Sequence, residues 1–200
     1  MKWLRYTALG LGILSMLFLI GGLMLPSAYR VERSIVVQAD RAQIHQLVGD
    51  LDQWPQWTPW QETDPTVRTT VGDQSTGVGA HQSWVGKSGS GELTLTESSP
   101  QTGISYDMSF DGGAFQSTSS MRYEDAAEGV KVVWSLNGDN GYNILGRYFA
   151  RMMDDMVGPY FEKGLAKLKN QAESVPKPTA EDDAETEQPT DEEDPEDLDK

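Results

Sequence analysis

Short β-patterned segments fill the middle of the chain, from residue 66 to residue 137, and glycine-rich turns separate them. Within each segment apolar and polar side chains tend to alternate, as they do in a strand that buries one face. Turns this short join neighbouring strands of an antiparallel sheet. The pattern therefore predicts six consecutive antiparallel strands, at residues 66–71, 80–86, 91–98, 103–110, 115–123 and 130–136.

One further strand and several helical segments flank these six strands. Residues 29–38 alternate and predict a first strand. Asp40 then stands at the N-cap position of a short helix, with Gln43 where a capping box places its partner. Residues 51–60 form a second short helical segment, and residues 145–172 carry apolar side chains at helical spacing over one long helix.

The order of these elements predicts an α+β fold. A seven-stranded antiparallel sheet that is followed by one long helix has to curve so that the helix can cover its concave face. A cavity can form between the sheet and the helix. We therefore expect the helix and the inward-facing strand positions to line any binding site.

Several short motifs support a family resemblance that covers residues 29–173. They are VERSI at 31–35, WPQWTPW at 54–60, GVG at 77–79, WVG at 84–86, Ser90-Gly91, VVW at 132–134 and FEKGL at 161–165. With these motifs the chain resembles the START/Bet v 1-like (SRPBCC) superfamily, and within it the bacterial polyketide cyclase/dehydrase-like group. The resemblance implies a helix-grip fold. It implies no single activity, because that scaffold carries lipid carriers, cyclases, hormone receptors and co-chaperone domains.

An apolar run without charges precedes the domain at residues 7–25. About 20 such residues span the ~30 Å hydrocarbon core of a bilayer. We predict an uncleaved transmembrane anchor in residues 1–28, while a signal peptide stays open as the alternative. The basic start at Lys2 and Arg5 favours an N-terminus in the cytoplasm of a bacterium and a domain in the periplasm, held by a single pass through the inner membrane. Arg30, Arg33 and Arg41 leave the opposite orientation open.

Charge and composition exclude some functions. The net charge is −15, and residues 174–200 hold most of the acidic excess, which disfavours binding to nucleic acid. We predict that this tail is disordered and consider a basic protein as its possible partner. The chain has no cysteine, so it contains neither disulfides nor thiolate metal sites. No metal-binding or cofactor-binding motif is recognisable, and we predict neither.

The candidates for lining a cavity are aromatic, methionine and small polar residues. The closely spaced Trp54, Trp57 and Trp60 either line the mouth of the cavity or plug the end of the sheet. The small side chains of Ser117 and Ser119 either face inward and leave a hollow or face outward. The methionines of the long helix line a ligand site or pack in the core. The full set is Trp54, Trp57, Trp60, Trp84, Tyr106, Met108, Phe110, Phe115, Ser117, Ser119, Met152 and Met156.

Candidate catalytic groups are few, because His45 and His81 are the only histidines. His81 is a weak candidate, since it could pair with Tyr106 or Asp107 as an acid and base inside the cavity. A purely structural role for both histidines is the alternative.

The sequence therefore predicts a membrane-anchored module that binds or transports a hydrophobic small molecule or a lipid. The alternatives are a cyclase/dehydrase-like enzyme that uses the same cavity and a non-catalytic interaction scaffold.

Overall fold

The computed structural model describes residues 2–174 of the chain. The elements are α1 (Lys2–Met24), β1 (Ala28–Val37), α2 (Arg41–Val48), α3 (Trp54–Trp57), α4 (Trp60–Thr63), β2 (Arg68–Val71), β3 (His81–Gly86), β4 (Gly89–Ser99), β5 (Gly103–Phe110), β6 (Phe115–Ala126), β7 (Gly129–Asp139) and α5 (Ile144–Ser174). Of the predicted acidic tail, Ser174 ends α5, and residues 175–200 lie outside the described part of the chain.

The seven strands form one antiparallel sheet in the order β1-β7-β6-β5-β4-β3-β2. Strands β2 to β7 pair with their neighbours in chain order, as the short turns predicted. β1 pairs with β7, so the first and last strands lie side by side. The seven-stranded sheet and the long C-terminal helix confirm the predicted α+β fold.

The concave face of the sheet carries the core, and α5 covers part of it. Val31, Tyr106, Met121 and Trp134 point inward from four strands and are buried. Phe161, Leu165 and Leu168 of α5 are buried with them. The helix continues unbroken through Pro159 and packs chiefly on β1, at one side of the sheet.

Arg33 connects β1 to the middle of α5. Its guanidinium donates to both carboxylate oxygens of Asp154, at 2.9 and 3.1 Å, and its Nε donates to Glu162 at 2.7 Å. These carboxylates raise the pKa of Arg33, and the same hydrogen bonds hold the pKa of Asp154 below its usual range. The side chain lies against Gly158, where a Cβ atom would be 2.1 Å from the guanidinium.

The predicted capping of α2 is wrong in one respect. Asp40 occupies the N-cap position with an extended backbone, but its side chain makes no capping hydrogen bond. Gln43, the expected partner in a capping box, donates instead from Nε2 to the backbone carbonyl of Ala172 at 2.7 Å. This bond ties α2 to the end of α5, so tertiary packing determines the orientation of Gln43.

α1 is the one helix in the described residues that is long and apolar enough to cross a membrane, with 23 residues and a mean hydropathy of 2.1 in its most apolar part. Its last turns contact the start of α5. The rings of Phe18 and Tyr148 stack at 4.7 Å between centroids, and the Tyr148 hydroxyl donates to the Phe18 carbonyl at 2.9 Å. Gly22 faces Ile144, where a Cβ atom would be 2.3 Å from the isoleucine methyl group.

Candidate functional site

The inward-facing side chains of β3 to β6 form rows across the concave face. One row contains Trp84, Gly91, Phe110 and Phe115, and the next contains Gln82, Leu93, Met108 and Ser117. A third row runs through Leu95, Tyr106 and Ser119. The exposure of these side chains falls from the first row to the third, so the interior is open at one end and closed at the other.

Aromatic rings fill the closed end. Trp57 lies edge-on to Trp134 at 5.5 Å, and Trp134 stacks on Phe161 of α5 at 4.0 Å between ring centroids. Trp54 contacts both Trp57 and Tyr106 at 5.5 Å. Trp54 and Trp57 therefore plug the space between sheet and helix, which is the second of the two roles considered for them.

A buried hydrogen-bond network connects these rings. The Trp134 Nε1 donates to the Tyr106 hydroxyl at 3.0 Å and lies 3.3 Å from Ser119 Oγ, and that hydroxyl donates to the Ser135 carbonyl at 2.7 Å. Burial raises the pKa of Tyr106 to about 12, so the phenol is neutral at physiological pH. Ser119 faces inward, and its small side chain makes room for the indole and the phenol.

The open end forms a groove on the concave face, which we call the trough and define by Trp84, Met108, Phe110, Phe115 and Ser117. Phe115 is 42% exposed, and Trp84, Met108 and Phe110 are half-buried. Trp84 lies edge-on to Phe110 at 5.5 Å and covers Gly91, where a Cβ atom would be 2.3 Å from the indole. The floor of the trough is therefore an aromatic surface that the described residues leave partly uncovered.

Ser117 supplies the polar group of the trough. Its hydroxyl lies 2.7 Å from the Tyr29 hydroxyl, the second residue of β1. Tyr29 itself lies over Gly138 of β7. This pair places the inner edge of the trough beside the start of β1, which begins four residues after the end of α1.

α5 presents a second exposed apolar surface, which we call the α5 apolar line: Leu145, Phe149, Met152 and Met156. These side chains are 62%, 51%, 53% and 48% exposed, respectively. At about 100° per residue the line adjoins Tyr160 on the helix surface. Met152 and Met156 are thus not part of the packed core.

Trp60 lies beside this surface. Its ring stacks on Tyr160 at 5.6 Å and borders a small cavity of about 20 Å³ next to Thr69 and Gln82. Glu62 holds this segment on α5 by pairing with Lys163 and Lys167, at 2.5 and 2.6 Å, and these bonds lower the pKa of Glu62 to about 2.

His81 does not face the cavity, contrary to the acid–base hypothesis. It lies on the convex face, where its Nδ1 is 3.1 Å from Thr94 Oγ1 and its Nε2 is 4.0 Å from Glu92. Asp107 shares that outer face, whereas Tyr106 points into the core, so His81 and Tyr106 lie on opposite sides of the sheet. The strand register causes this difference, since neighbouring residues point to opposite faces.

His45 is half-buried, and both of its ring nitrogens lie near hydroxyl groups. Its Nδ1 lies 3.2 Å from the Tyr123 hydroxyl and its Nε2 lies 3.3 Å from Ser98 Oγ. Burial lowers the pKa of His45, and burial also raises the pKa of Tyr123. Both groups are therefore neutral at physiological pH.

A wide, open depression of about 430 Å³ lies across β4 to β7, and its lining includes Leu93 and the trough residues Met108 and Ser117. The outward-facing side chains that line it are polar. They are Glu92, Thr94, Asp107, Ser109, Gln116, Thr118, Asn137 and Asp139.

Sequence reasoning missed four residues of this region. Gly91 and Tyr29 matter because of their cross-strand neighbours, which depend on the register. Leu145 and Phe149 carry a signal that could have been used, because they share the helical spacing of Met152 and Met156. Which part of an apolar helix face stays exposed depends on where the helix lies on the sheet.

The curved sheet and its long C-terminal helix define a helix-grip domain of the SRPBCC superfamily. The sequence profile of the family described as polyketide cyclase / dehydrase and lipid transport matches residues 28–173. The chain belongs to this family. A comparison with curated protein sequences finds no match.

Solved structures share the fold. A protein from Thermobifida fusca, determined by solution NMR, is similar with a TM-score of 0.57 and 20% identity over 72% of this chain and 93% of its own. The di-domain ARO/CYC StfQ from the steffimycin biosynthetic pathway has a TM-score of 0.54 and 12% identity over 74% of this chain and 51% of its own, so this chain spans about half of that protein. Ara h 8.0201 has a TM-score of 0.50 and 12% identity over 74% of this chain and 99% of its own.

Proposed function

We propose that this protein is a membrane-tethered module that binds a hydrophobic small molecule or a lipid in the trough. The observation that carries the proposal is the half-exposed aromatic floor of Trp84, Phe110 and Phe115 on a concave face. Contiguous exposed apolar surface is costly in water and usually marks a ligand or an interaction site. An apolar ligand would remove this surface from water.

The chemistry of the trough favours binding over acid–base catalysis. Its floor offers aromatic rings and the Met108 thioether, which suit aliphatic and aromatic groups. The hydroxyls of Tyr29 and Ser117 are already paired with each other and can hold one polar group of a ligand. The family's combination of cyclases, dehydrases and lipid transport is compatible with such a ligand.

The anchor is the second part of the proposal. α1 keeps the domain beside the bilayer, which is a source of apolar ligands. The basic residues Lys2 and Arg5 favour a cytoplasmic N-terminus and a periplasmic domain. A tethered binding domain of this kind would exchange its ligand with the membrane or with a protein near the membrane.

Two neighbouring residues on opposite faces of β3 give a matched test. Trp84→Ala removes part of the trough floor, whereas Val85→Ala removes an exposed side chain on the outer face. The full-length variants would be purified in detergent, and the apolar molecules that remain bound would be extracted and identified by mass spectrometry. Circular dichroism and Tm would establish that both variants fold.

We expect one molecular species at a constant ratio to protein in the wild type and in Val85→Ala, and its loss in Trp84→Ala. Equal retention by the two folded variants would contradict binding in the trough. The absence of any such species from the wild type would contradict the proposal as well.

A further inference from the structure

The apolar run that forms most of α1 is only just long enough to span the hydrocarbon core of a bilayer. Residues 7–25 comprise 19 residues, which span about 29 Å as a helix. The hydrocarbon core is ~30 Å thick. If α1 crosses the bilayer, the whole run is needed, and Phe18 lies seven residues before its end, about 10 Å inside the core boundary.

α5 contacts α1 within this part of the run. Tyr148 stacks on Phe18, and Ile144 packs against Gly22. Arg147 donates to the carbonyls of Leu23 and Leu25, at 2.9 and 3.2 Å, and so satisfies backbone groups at the end of α1. These contacts place the first two turns of α5 beside the last turns of α1. The start of α5 therefore lies at the depth at which α1 would enter the bilayer.

The α5 apolar line is next to this contact. Leu145 and Phe149 directly follow Ile144 and Tyr148, so about 100° of helix rotation separates the exposed apolar side chains from the residues that touch α1. Arg151 and Asp155 occupy the following turns of the α1-facing side and are exposed. Two charged groups there favour a helix that lies along the membrane surface over one that continues into the core.

The trough opens at the same end of the sheet. Ser117 bonds to Tyr29, and the row of Trp84, Phe110 and Phe115 is one step nearer to α1. A backbone hydrogen bond from Asn140 to Ser27 closes this end of the β1–β7 pair directly after the anchor. The exposed line on α5 and the trough therefore share the membrane-proximal end of the domain.

We infer that the α5 apolar line is a membrane-contacting surface that inserts into the interface of the bilayer and brings the trough to the lipids. This inference rests on the membrane anchoring in the proposed function. Its occupant is the region of headgroups and upper acyl chains, because the neighbouring α1 already lies in that layer. A ligand would pass between bilayer and trough without crossing bulk water.

The absence of cysteine from the chain allows single labels at chosen positions. Full-length protein with Phe149→Cys or Met152→Cys would carry an environment-sensitive fluorophore and be reconstituted in phosphatidylcholine vesicles. A fraction of the lipids would carry a nitroxide quencher near the top of the acyl chain. Ile13→Cys reports on the anchor, and Val36→Cys reports on the far end of β1, about 26 Å from Ala28 along the strand.

We expect quenching at Phe149→Cys and Met152→Cys to lie within about twofold of that at Ile13→Cys, since all three labels would sit near acyl chains. The label at Val36→Cys should stay unquenched. Quenching at Ile13→Cys without quenching at the two α5 positions would overturn this inference and leave the anchor in place. The lack of quenching at Ile13→Cys would overturn the anchor together with the inference. Equal quenching at Val36→Cys and Phe149→Cys would also overturn it, because the contact would then not be specific to α5.

Discussion

Gly91 lies beneath the Trp84 indole, which covers it as part of the trough floor. A Cβ atom at this position would be 2.3 Å from the indole and 2.7 Å from the Ser109 carbonyl, distances that no side chain tolerates without movement. Trp84 therefore reaches its place because its cross-strand neighbour has no side chain. The half-exposed aromatic floor depends on this pairing.

Gly91→Ala should displace the Trp84 indole, lower Tm and weaken the near-ultraviolet circular dichroism of tryptophan. The physical reason is overpacking, which typically costs about 1–3 kcal/mol. Gly72→Ala is the matched control, because a Cβ atom there meets its nearest neighbour at 3.5 Å, an ordinary contact. An unchanged near-ultraviolet spectrum in Gly91→Ala would show that Trp84 does not lie over this glycine.

Tyr106 joins the sheet core to Trp134 through its hydroxyl group. Tyr106→Phe removes the acceptor and leaves the Trp134 Nε1 with a longer contact to Ser119. We expect a loss of about 1–2 kcal/mol, or a Tm lower by about 3–6 °C, measured on the full-length protein in detergent. Tyr142→Phe should leave Tm unchanged, because Tyr142 is almost fully exposed. Equal Tm values for the two variants would show that the buried hydroxyl contributes no stability.

At the scale of elements, Arg33 determines how α5 lies on β1. Asp154 and Glu162, which accept its bonds, lie about one helical turn before and one turn after Gly158. The position of the helix over β1 leaves the concave face of β3 to β6 uncovered at the trough. Loss of the ion pair would thus weaken the attachment of α5 to β1.

The pKa of Asp154 is lower in the folded protein than its ordinary value of 3.8, chiefly through the hydrogen bonds from Arg33. A carboxylate with a depressed pKa stabilises the fold above its unfolded pKa, and this contribution is lost as the pH falls through the folded pKa. Asp154→Asn should therefore lower Tm at pH 7 and make a smaller difference below pH 3.8. Asp155→Asn, one residue further along, is the control with an exposed carboxylate. A Tm difference for Asp154→Asn that is independent of pH would contradict the role of its charge.

The sequence predicted most elements because their signals are local. Alternation along β5 and the glycines around it place that strand correctly at Gly103–Phe110. The placement of His81 and the role of Gln43 were not predictable in this way. The first depends on a one-residue register and the second on a contact with Ala172, which is 129 residues away in the chain.

The site was predictable only in part. The candidate residues on the strands do face inward, as their alternation indicated. Which end of the interior is filled depends on how Trp57, Trp134 and Phe161 come together from three elements. Such long-range packing has no local sequence signal.

In the whole molecule, α1, the trough and the exposed side of α5 lie at one end of the domain. The opposite end is closed by the aromatic cluster and by the bonds of α2 to the end of α5. This arrangement gives the domain an opening beside α1 and a closed half away from it. We expect an apolar molecule to occupy this opening.

Photo-crosslinking in cells tests whether this opening is occupied. Phe115 would be replaced by benzoylphenylalanine in the full-length protein, and Val85, which is exposed on the outer face, would be replaced in the same way as a control. After irradiation, the intact mass of each protein would show what has been captured. We expect one defined apolar adduct at position 115 and none at position 85. No adduct at position 115, or the same adducts at both positions, would contradict binding of an apolar molecule in the trough.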